Sequence, residues 1–323
     1  LLGTSVSGGG IPTTGTSIII RGSNLGGGTS SFKVLSKVTG KEKDTKVEIV
    51  DQDTVNHKWM EVAIGEGEGR ITLQLNSSGN LAYADLNYTG PIINASMPGS
   101  LTMPTGGGET IELVGSSFGS GSDDCEVVLM YKGVKKYSYK ANNVSVYNHS
   151  YIRFLSPEGE ADGPMDLKVV AGGLHSNVIQ FNFSKPYIER IGYGSDRSSV
   201  CEKEYGKFCP DGGYAIKLEG ENFGSSKADL TILFNGKTYT TDDDSDDGYA
   251  MVKRMSHTLI YFHMPSGIGK NIDLQLVVGT VATPVVLYSY SAPVVAARSP
   301  NAALSPTDFN ANGDVLTIYG YNF

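Results

Sequence analysis

One phrase recurs four times along the 323 residues. A glycine-rich turn is followed by a short strand of alternating apolar and polar residues, then Gly-x-Asn/Ser-Phe/Leu and, in three copies, a further Gly. The copies occupy residues 14–26, 108–119, 213–224 and 313–323, and their anchors Leu25, Phe118, Phe223 and Phe323 lie 93, 105 and 100 residues apart. Self-similarity at a fixed period means that the chain is built from copies of one structural unit. A unit of this length is large enough to bury a core of its own.

A second phrase keeps step with the first: a strand, a Pro- or Gly-rich turn, a strand alternating with period two, and an aromatic three residues before a proline. It runs over 60–91, 152–186 and 260–293, with Tyr88, Phe183 and Tyr290 as the closing aromatics. Many short strands between Gly, Pro and Asn turns, with no helical periodicity, are the sequence form of a β-sandwich of the immunoglobulin type. In Ile216-Lys-Leu-Glu the apolar side chains fall on one side and the charged ones on the other, as a strand with one buried face requires. The expected fold is therefore all-β, with tandem immunoglobulin-like sandwiches whose anchor aromatics plug the ends of their cores. The junctions fall at Pro91, Pro186 and Pro293, and short proline linkers predict a semi-rigid rod. The predicted units are 1–90, incomplete at its start, 91–185, 186–292, and the opening strands of another over 293–323.

Gly-x-x-Ile-x-Leu-x-Gly-x-Asn-Phe-Gly, followed by a Pro-x-Gly-x-Gly turn and a Phe/Tyr-x-x-Pro exit, resembles the IPT/TIG domain, the E-set immunoglobulin-like fold shared by plexins and transcription factors. The likeness extends over nearly the whole chain. The second and third repeats carry it fully; the first departs from it, with Leu25 in place of Phe and Gly65-Glu-Gly-Glu-Gly69 in place of the proline turn. The segment 201–213, with Cys201 and Cys209 just before the third glycine-rich turn, is similar to cysteine loops of TIG repeats in social-amoeba adhesion and self-recognition proteins. The resemblance implies a cell-surface protein that works through protein–protein contacts. Resemblance of fold does not itself carry function.

Charge and hydropathy narrow the classes further. A net charge of −8 repels a phosphate backbone, so nucleic acid is not an expected partner. The lysines at 132, 135, 136 and 140 beside a tyrosine-rich strand read as a solvated strand edge. No apolar run approaches the roughly 20 residues needed to cross a bilayer. The chain opens at Leu1 without a signal-like segment, so any signal peptide is expected upstream and a membrane anchor outside this segment.

Six Asn-x-Ser/Thr sequons stand at Asn76, Asn87, Asn94, Asn143, Asn148 and Asn182, around the first junction and in the second repeat. They predict N-linked glycans on loops and strand edges of a secreted chain. Cys201 and Cys209, eight residues apart around a polar loop, predict a local disulfide in an oxidising compartment. Their spacing fits no zinc pattern and no neighbouring His completes one. Cys125, in a strand, is expected to be a buried thiol. The acidic run from Asp242 to Asp247 has oxygen ligands suited to Ca2+ but reads as a solvated hairpin tip. Residues 308–314 mimic a calcium loop, yet the twelfth position is Tyr319 where Glu is required, so the segment reads as the repeated turn.

His57, His149, His175, His257 and His263 are scattered, and no nucleophile elbow, zinc-protease helix or phosphate loop is present. No catalytic residue, metal site or cofactor is expected. Tyr137, Tyr139, Tyr147 and Tyr151 alternate along strands, as contact residues or as cross-strand packing. The leading expectation is an extracellular protein mediating cell–cell adhesion or recognition, homophilic or heterophilic, through a same or related surface protein. The alternatives are a glycosylated filament or surface coat formed by self-association, and an accessory module of a secreted carbohydrate-active enzyme.

Overall fold

The computed structural model describes residues 3–5, 10–25, 30–37, 40–160, 163–193, 214–225, 229–241, 251–299 and 317–321. Two compact units divide the chain. The first holds Leu1–Met103, Gly107–Pro157 and Gly163–Asn182, and the second holds Pro104–Gly106, Glu158–Asp162 and Phe183–Phe323.

The first unit opens with β1 (Gly3–Ser5), β2 (Thr16–Arg21), β3 (Ser31–Ser36), β4 (Glu42–Lys43), β5 (Val47–Gln52), β6 (Trp59–Ile64), β7 (Arg70–Ser77) and β8 (Asn80–Asn87). They form two antiparallel sheets, ordered β1-β2-β6-β5 and β4-β3-β7-β8. Strands 1-2-5-4 in one sheet and 3-6-7 in the other is the immunoglobulin arrangement, with β4 as an added short edge strand. Inward residues of both sheets, such as Ile18, Ile20, Val62, Leu73 and Tyr88, make the core.

The same unit continues through β9 (Ile92–Met97), β10 (Leu101–Met103), β11 (Thr110–Ser116), β12 (Cys125–Tyr131), β13 (Val134–Lys140), β14 (Val146–Tyr147), β15 (Tyr151–Leu155), β16 (Met165–Ala171), β17 (Leu174–His175) and β18 (Ile179–Phe183). The sheet orders are β14-β15-β11-β9 and β10-β18-β16-β12-β13, with β17 on β16. This is the same arrangement again. Phe118, Phe154 and Phe181 are at most 1% exposed between the sheets. Burial of each aromatic contributes on the order of 2–3 kcal/mol.

In the second unit β19 (Tyr187–Tyr193), β20 (Ala215–Glu221), β21 (Leu230–Phe234), β22 (Lys237–Thr240), β23 (Val252–Ser256), β24 (Leu259–His263), β25 (Ile272–Val278), β26 (Val281–Ala282) and β27 (Val286–Tyr288) give sheets β19-β20-β24-β23 and β22-β21-β25-β26, with β27 on β25. An aromatic cluster fills this core: Phe234 meets Phe262, Tyr288 and Tyr290 edge-on at 5.8, 5.5 and 6.3 Å. A further pair, β28 (Val294–Ser299) and β29 (Thr317–Tyr321), repeats the opening antiparallel hydrogen bonding of β19 with β20.

The recurring phrase has a local cause. Asn24, Ser117 and Asn222 all occupy the left-handed region, at φ 61°, 59° and 61°. The turned backbone drops the next residue, Leu25, Phe118 or Phe223, into the core at 3%, 0% and 0% exposure. The glycine two residues before the left-handed one makes room for that side chain. A Cβ on Gly115 would stand 2.0 Å from the Ile92 carbonyl oxygen and 2.5 Å from the Phe118 ring; on Gly220 it would stand 2.0 Å from the Tyr187 oxygen and 2.8 Å from Phe223. Beside each glycine the entering strand carries a β-bulge, so the same device is used twice.

Candidate functional site

Within the first unit, the turn after β6 carries a buried carboxylate. Glu68 is 2% exposed although the apolar core ends at its neighbours. Its Oε1 accepts from Lys43 Nζ and from Ser122 Oγ, both at 2.7 Å. Its Oε2 accepts from the Ser120 backbone N–H at 3.2 Å and from Ser120 Oγ at 2.9 Å. Lys43 Nζ also reaches the Glu68 carbonyl at 3.3 Å and Asp124 at 3.6 Å. Lys43 and Glu68 come from the first sandwich, and Ser120 and Ser122 from the loop after anchor Phe118. One side chain therefore fastens two sandwiches.

Burial pushes the Glu68 carboxyl up, but hydrogen bonds from Lys43 and Ser122, the Lys43 charge and Ser120 outweigh it and hold the group below its ordinary value. Around this clamp the two backbones touch: a Cβ on Gly69, at φ +79°, would lie 2.2 Å from the Gly172 carbonyl oxygen. His149 Nε2 pairs with Glu66 at 2.9 Å on the same seam. An open cleft of about 490 Å3 beside the clamp is lined by Lys41, Glu42, Asp44, Asp123 and Asp124 among others. Glu68 was not singled out from the sequence, where Gly65-Glu-Gly-Glu-Gly69 reads as a plain turn. Nothing in the sequence separates it from Glu66, which sits between the same glycines and is exposed.

Cys125 is fully buried and free, lined by Ala141 and Ala171 with Tyr147 beside it. Burial first, then the Glu68 charge, pushes its thiol up to about 11. Tyr147 donates its hydroxyl to the Phe118 carbonyl at 2.8 Å, and Tyr139 packs on Phe154 at 4.9 Å. Both tyrosines are half-buried packing residues, Tyr139 against the facing sheet and Tyr147 against the loop that follows β11. The lysines of β13 lie on an edge strand, where Lys135 pairs with Glu126 at 2.9 Å.

The sequon asparagines are spread over the first unit. Asn76, Asn87, Asn94, Asn143 and Asn148 are exposed and Asn182 is half-buried. Asn76 and Asn148 use Oδ1 to accept backbone N–H groups of their own turns, from Gly79 at 2.9 Å and from Ser150 and Tyr151 at 3.0 and 2.9 Å. Asn94 and Asn182 line one groove of about 540 Å3 between β9 and β18. Cys201, Cys209, the run Asp242 to Asp247, residues 308–314 and Phe323 lie outside the described residues. Among the described residues no three His, Cys, Asp or Glu side chains gather as a metal site, and no helix is long and apolar enough to cross a membrane.

One outer sheet face mixes exposed apolar side chains with an ion pair. On β14-β15-β11-β9 the register sets Glu112 opposite Met97 and Arg153, Val114 opposite Ala95 and Tyr151, and Thr110 opposite Leu155. Met97, Val114 and Leu155 are 50%, 36% and 50% exposed on it. Arg153 binds Glu112 through Nε at 3.0 Å and Nη2 at 2.6 Å in their midst.

These features define the class: a chain of tandem immunoglobulin-like sandwiches, each with its own core. No family model and no curated protein matches the chain. Among solved structures it is similar to the N-terminal eight immunoglobulin domains of Down syndrome cell adhesion molecule, at 12% identity and TM-score 0.20, over 92% of this chain and 38% of that one. It is also similar to domains 5–6 of the S-layer protein SbsC, at 12% identity and TM-score 0.19, over 57% of this chain and 96% of that one. A marsupial T cell receptor aligns at 10% identity and TM-score 0.23, over 90% of this chain and 99% of that one. The chain thus spans well under half the length of the adhesion-molecule structure.

Proposed function

We propose that the chain is a non-enzymatic extracellular repeat protein of the IPT/TIG type, resembling the social-amoeba TIG proteins, that mediates adhesion or recognition at the cell surface through protein–protein contacts. The observation that carries this reading is the placement of the sequons. Five of six asparagines are exposed, and none lies on β11 or β15, the central strands of the β14-β15-β11-β9 face. N-linked glycans at these positions would solvate the edges of the sandwiches and leave that face to a protein partner. In this reading Cys201 and Cys209 form a local disulfide, as an oxidising compartment permits.

The reading is tested by presenting the glycosylated chain on beads to cells of the same source and to each other. Adhesion that survives removal of the glycans supports it. Beads that bind neither cells nor each other overturn it, and regular filaments of the chain seen by electron microscopy would replace it with a structural coat.

A further inference from the structure

We infer that the end of the first sandwich that carries His57 is a docking surface for a further sandwich of the same repeat, joined ahead of Gly3 in the whole protein. The interface lies inside the protein and is independent of the partner in the adhesive reading.

Three of the five histidines, scattered in sequence, stand at one position of the repeat. The carbonyls of His57, His149 and His257 accept the backbone N–H of the core anchors Leu25, Phe118 and Phe223 at 3.2, 2.9 and 2.9 Å. The carbonyls of the next residues, Lys58, Ser150 and Thr258, accept from Gly22, Gly115 and Gly220 at 2.9, 2.9 and 3.0 Å. Each imidazole is therefore fixed at the same end of its sandwich. In each ring Nδ1 is buried with no hydrogen-bond partner among the described residues, which leaves Nε2 to meet a neighbour.

That end is covered twice. His149 Nε2 pairs with Glu66 of the first sandwich's glycine turn at 2.9 Å, and a Cβ on Gly172, at the hairpin tip beside it, would stand 2.5 Å from Gly69 Cα. Within the second unit, a Cβ on Gly106 would meet the His257 ring at 3.5 Å. There the Gly159 carbonyl accepts the Ser225 N–H at 3.0 Å, and the Thr105 hydroxyl accepts the Gly224 N–H at 3.2 Å. The covering turns are equivalent as well: Gly67 and Gly159 donate to the Thr13 and Thr105 carbonyls at 2.9 and 3.0 Å.

At the first sandwich the same end is open. Ser78 holds the hairpin position of the buried Gly172 and is exposed, and a Cβ on Gly79 beside it would meet nothing within 4 Å. Val55, in the loop that carries His57, is 82% exposed, the most of any large apolar side chain among the described residues. Covering it takes apolar area out of water. The chain also enters each sandwich at this end: Gly3 pairs with Arg21 as Ala95 does with Val114 and Arg190 with Glu219. Whatever is joined ahead of Gly3 is thus delivered to His57. The two existing covers are the acidic turns Gly65-Glu-Gly-Glu68 and Pro157-Glu-Gly-Glu160, so the occupant is a carboxylate-bearing glycine turn of the same kind.

The test compares hydrogen exchange in the whole protein purified from its source with exchange in residues 1–323 alone. In the whole protein the loop 53–58 and the hairpin 76–80 are expected to exchange at least about tenfold more slowly, while the hairpin 171–174 exchanges alike in both. Zero-length coupling of amines to carboxylates in the whole protein should join Lys58 to a Glu in a glycine turn ahead of Gly3. Ser78→Trp should return the loop and hairpin to the faster rates and leave 171–174 unchanged, which shows that the variant is folded. Equal exchange of 53–58 and 76–80 in the two proteins, or a whole protein with no sandwich ahead of Gly3, overturns the proposal. Slowed exchange in a whole protein that binds no cells supports this interface while the adhesive reading fails.

Discussion

The hydroxyl of Tyr88 donates to the Gly65 carbonyl oxygen at 2.9 Å, and in the second unit Tyr290 donates in the same way to the Pro265 carbonyl at 2.7 Å. Each tyrosine closes its sandwich against the turn that follows the sixth strand of the phrase, and each has a glycine two residues further on beneath its ring. A Cβ on Gly67 would stand 2.8 Å from Tyr88, and on Gly267 2.9 Å from Tyr290. The Gly-rich turn of the first repeat is therefore the equivalent of the proline turn of the third, despite its different composition. Tyr88→Phe is expected to cost about 1–2 kcal/mol, because the half-buried Gly65 carbonyl loses its donor. Gly67→Ala should cost more, since the ring must move. Denaturant unfolding of the two variants measures both.

The motif chemistry makes a prediction of opposite sign at Ser117. Asn24 and Asn222 hold the left-handed position in the other two repeats, and Asn tolerates it better than Ser. Ser117→Asn should stabilise the second sandwich by roughly 0.5–1 kcal/mol. Gly115→Ala, two residues earlier, should destabilise it by at least about 2 kcal/mol, because the added methyl meets both a carbonyl oxygen and the Phe118 ring. Thermal unfolding that ranks the two variants otherwise would refute this account of the phrase.

Much of the fold was legible because the phrase encodes backbone geometry. A left-handed Asn, a clearing Gly and a core aromatic leave a residue-level trace at a fixed spacing, and the alternation in Ile216-Lys-Leu-Glu states which face is buried. Glu68 left no such trace. Its role depends on Ser120 and Ser122, more than fifty residues away, and a Glu between glycines looks the same whether it meets water or a neighbouring sandwich. The pairing of Val114 with Tyr151 was equally hidden, because the two become neighbours only once the strand register is known.

Removing the Glu68 carboxylate should loosen the seam between the first two sandwiches. Glu68→Ala leaves Lys43, whose side chain is 13% exposed, with Asp124 at 3.6 Å as its remaining carboxylate, and deprives two serines of their acceptor. The expected loss is about 2–3 kcal/mol, the lower range for breaking a buried pair, because Lys43 keeps some water. Hydrogen exchange should rise at the amide of Ser120, and small-angle scattering should show a broader distribution of shapes.

The same group sets an acid limit. Its value is lowered in the folded chain, so its contribution is complete above the unfolded carboxyl value of about 4.3 and fades as pH falls through the folded value. Wild-type stability should therefore fall more steeply than that of Glu68→Gln below about pH 4.3, and the two should run parallel between pH 6 and 8. Equal slopes in acid would show that the clamp does not titrate.

Cys125 should resist alkylation. With its thiol pushed up to about 11, roughly one molecule in a thousand carries a thiolate at pH 8, and the sulfur is fully buried. Iodoacetamide should modify it only after unfolding, which mass spectrometry of the peptide reads directly. Rapid modification of the native chain would mean that the Ala141–Ala171 pocket opens.

On the proposed N-linked glycans, trimming should report the asparagine environments. Asn182 is half-buried in β18, whose neighbours Phe181 and Phe183 point into the core, and it shares its groove with Asn94. Asn76, Asn143 and Asn148 lie at strand ends and turns and are open to solvent. An endoglycosidase acting on the folded chain should therefore release glycan from Asn182 several times more slowly than from these three, because the enzyme must reach the sugar–protein linkage across the sandwich edge. Unfolding before digestion removes that barrier and should bring the rates together. Peptide mapping over a time course measures the ratio, and equal rates on the native chain would contradict the placement of Asn182.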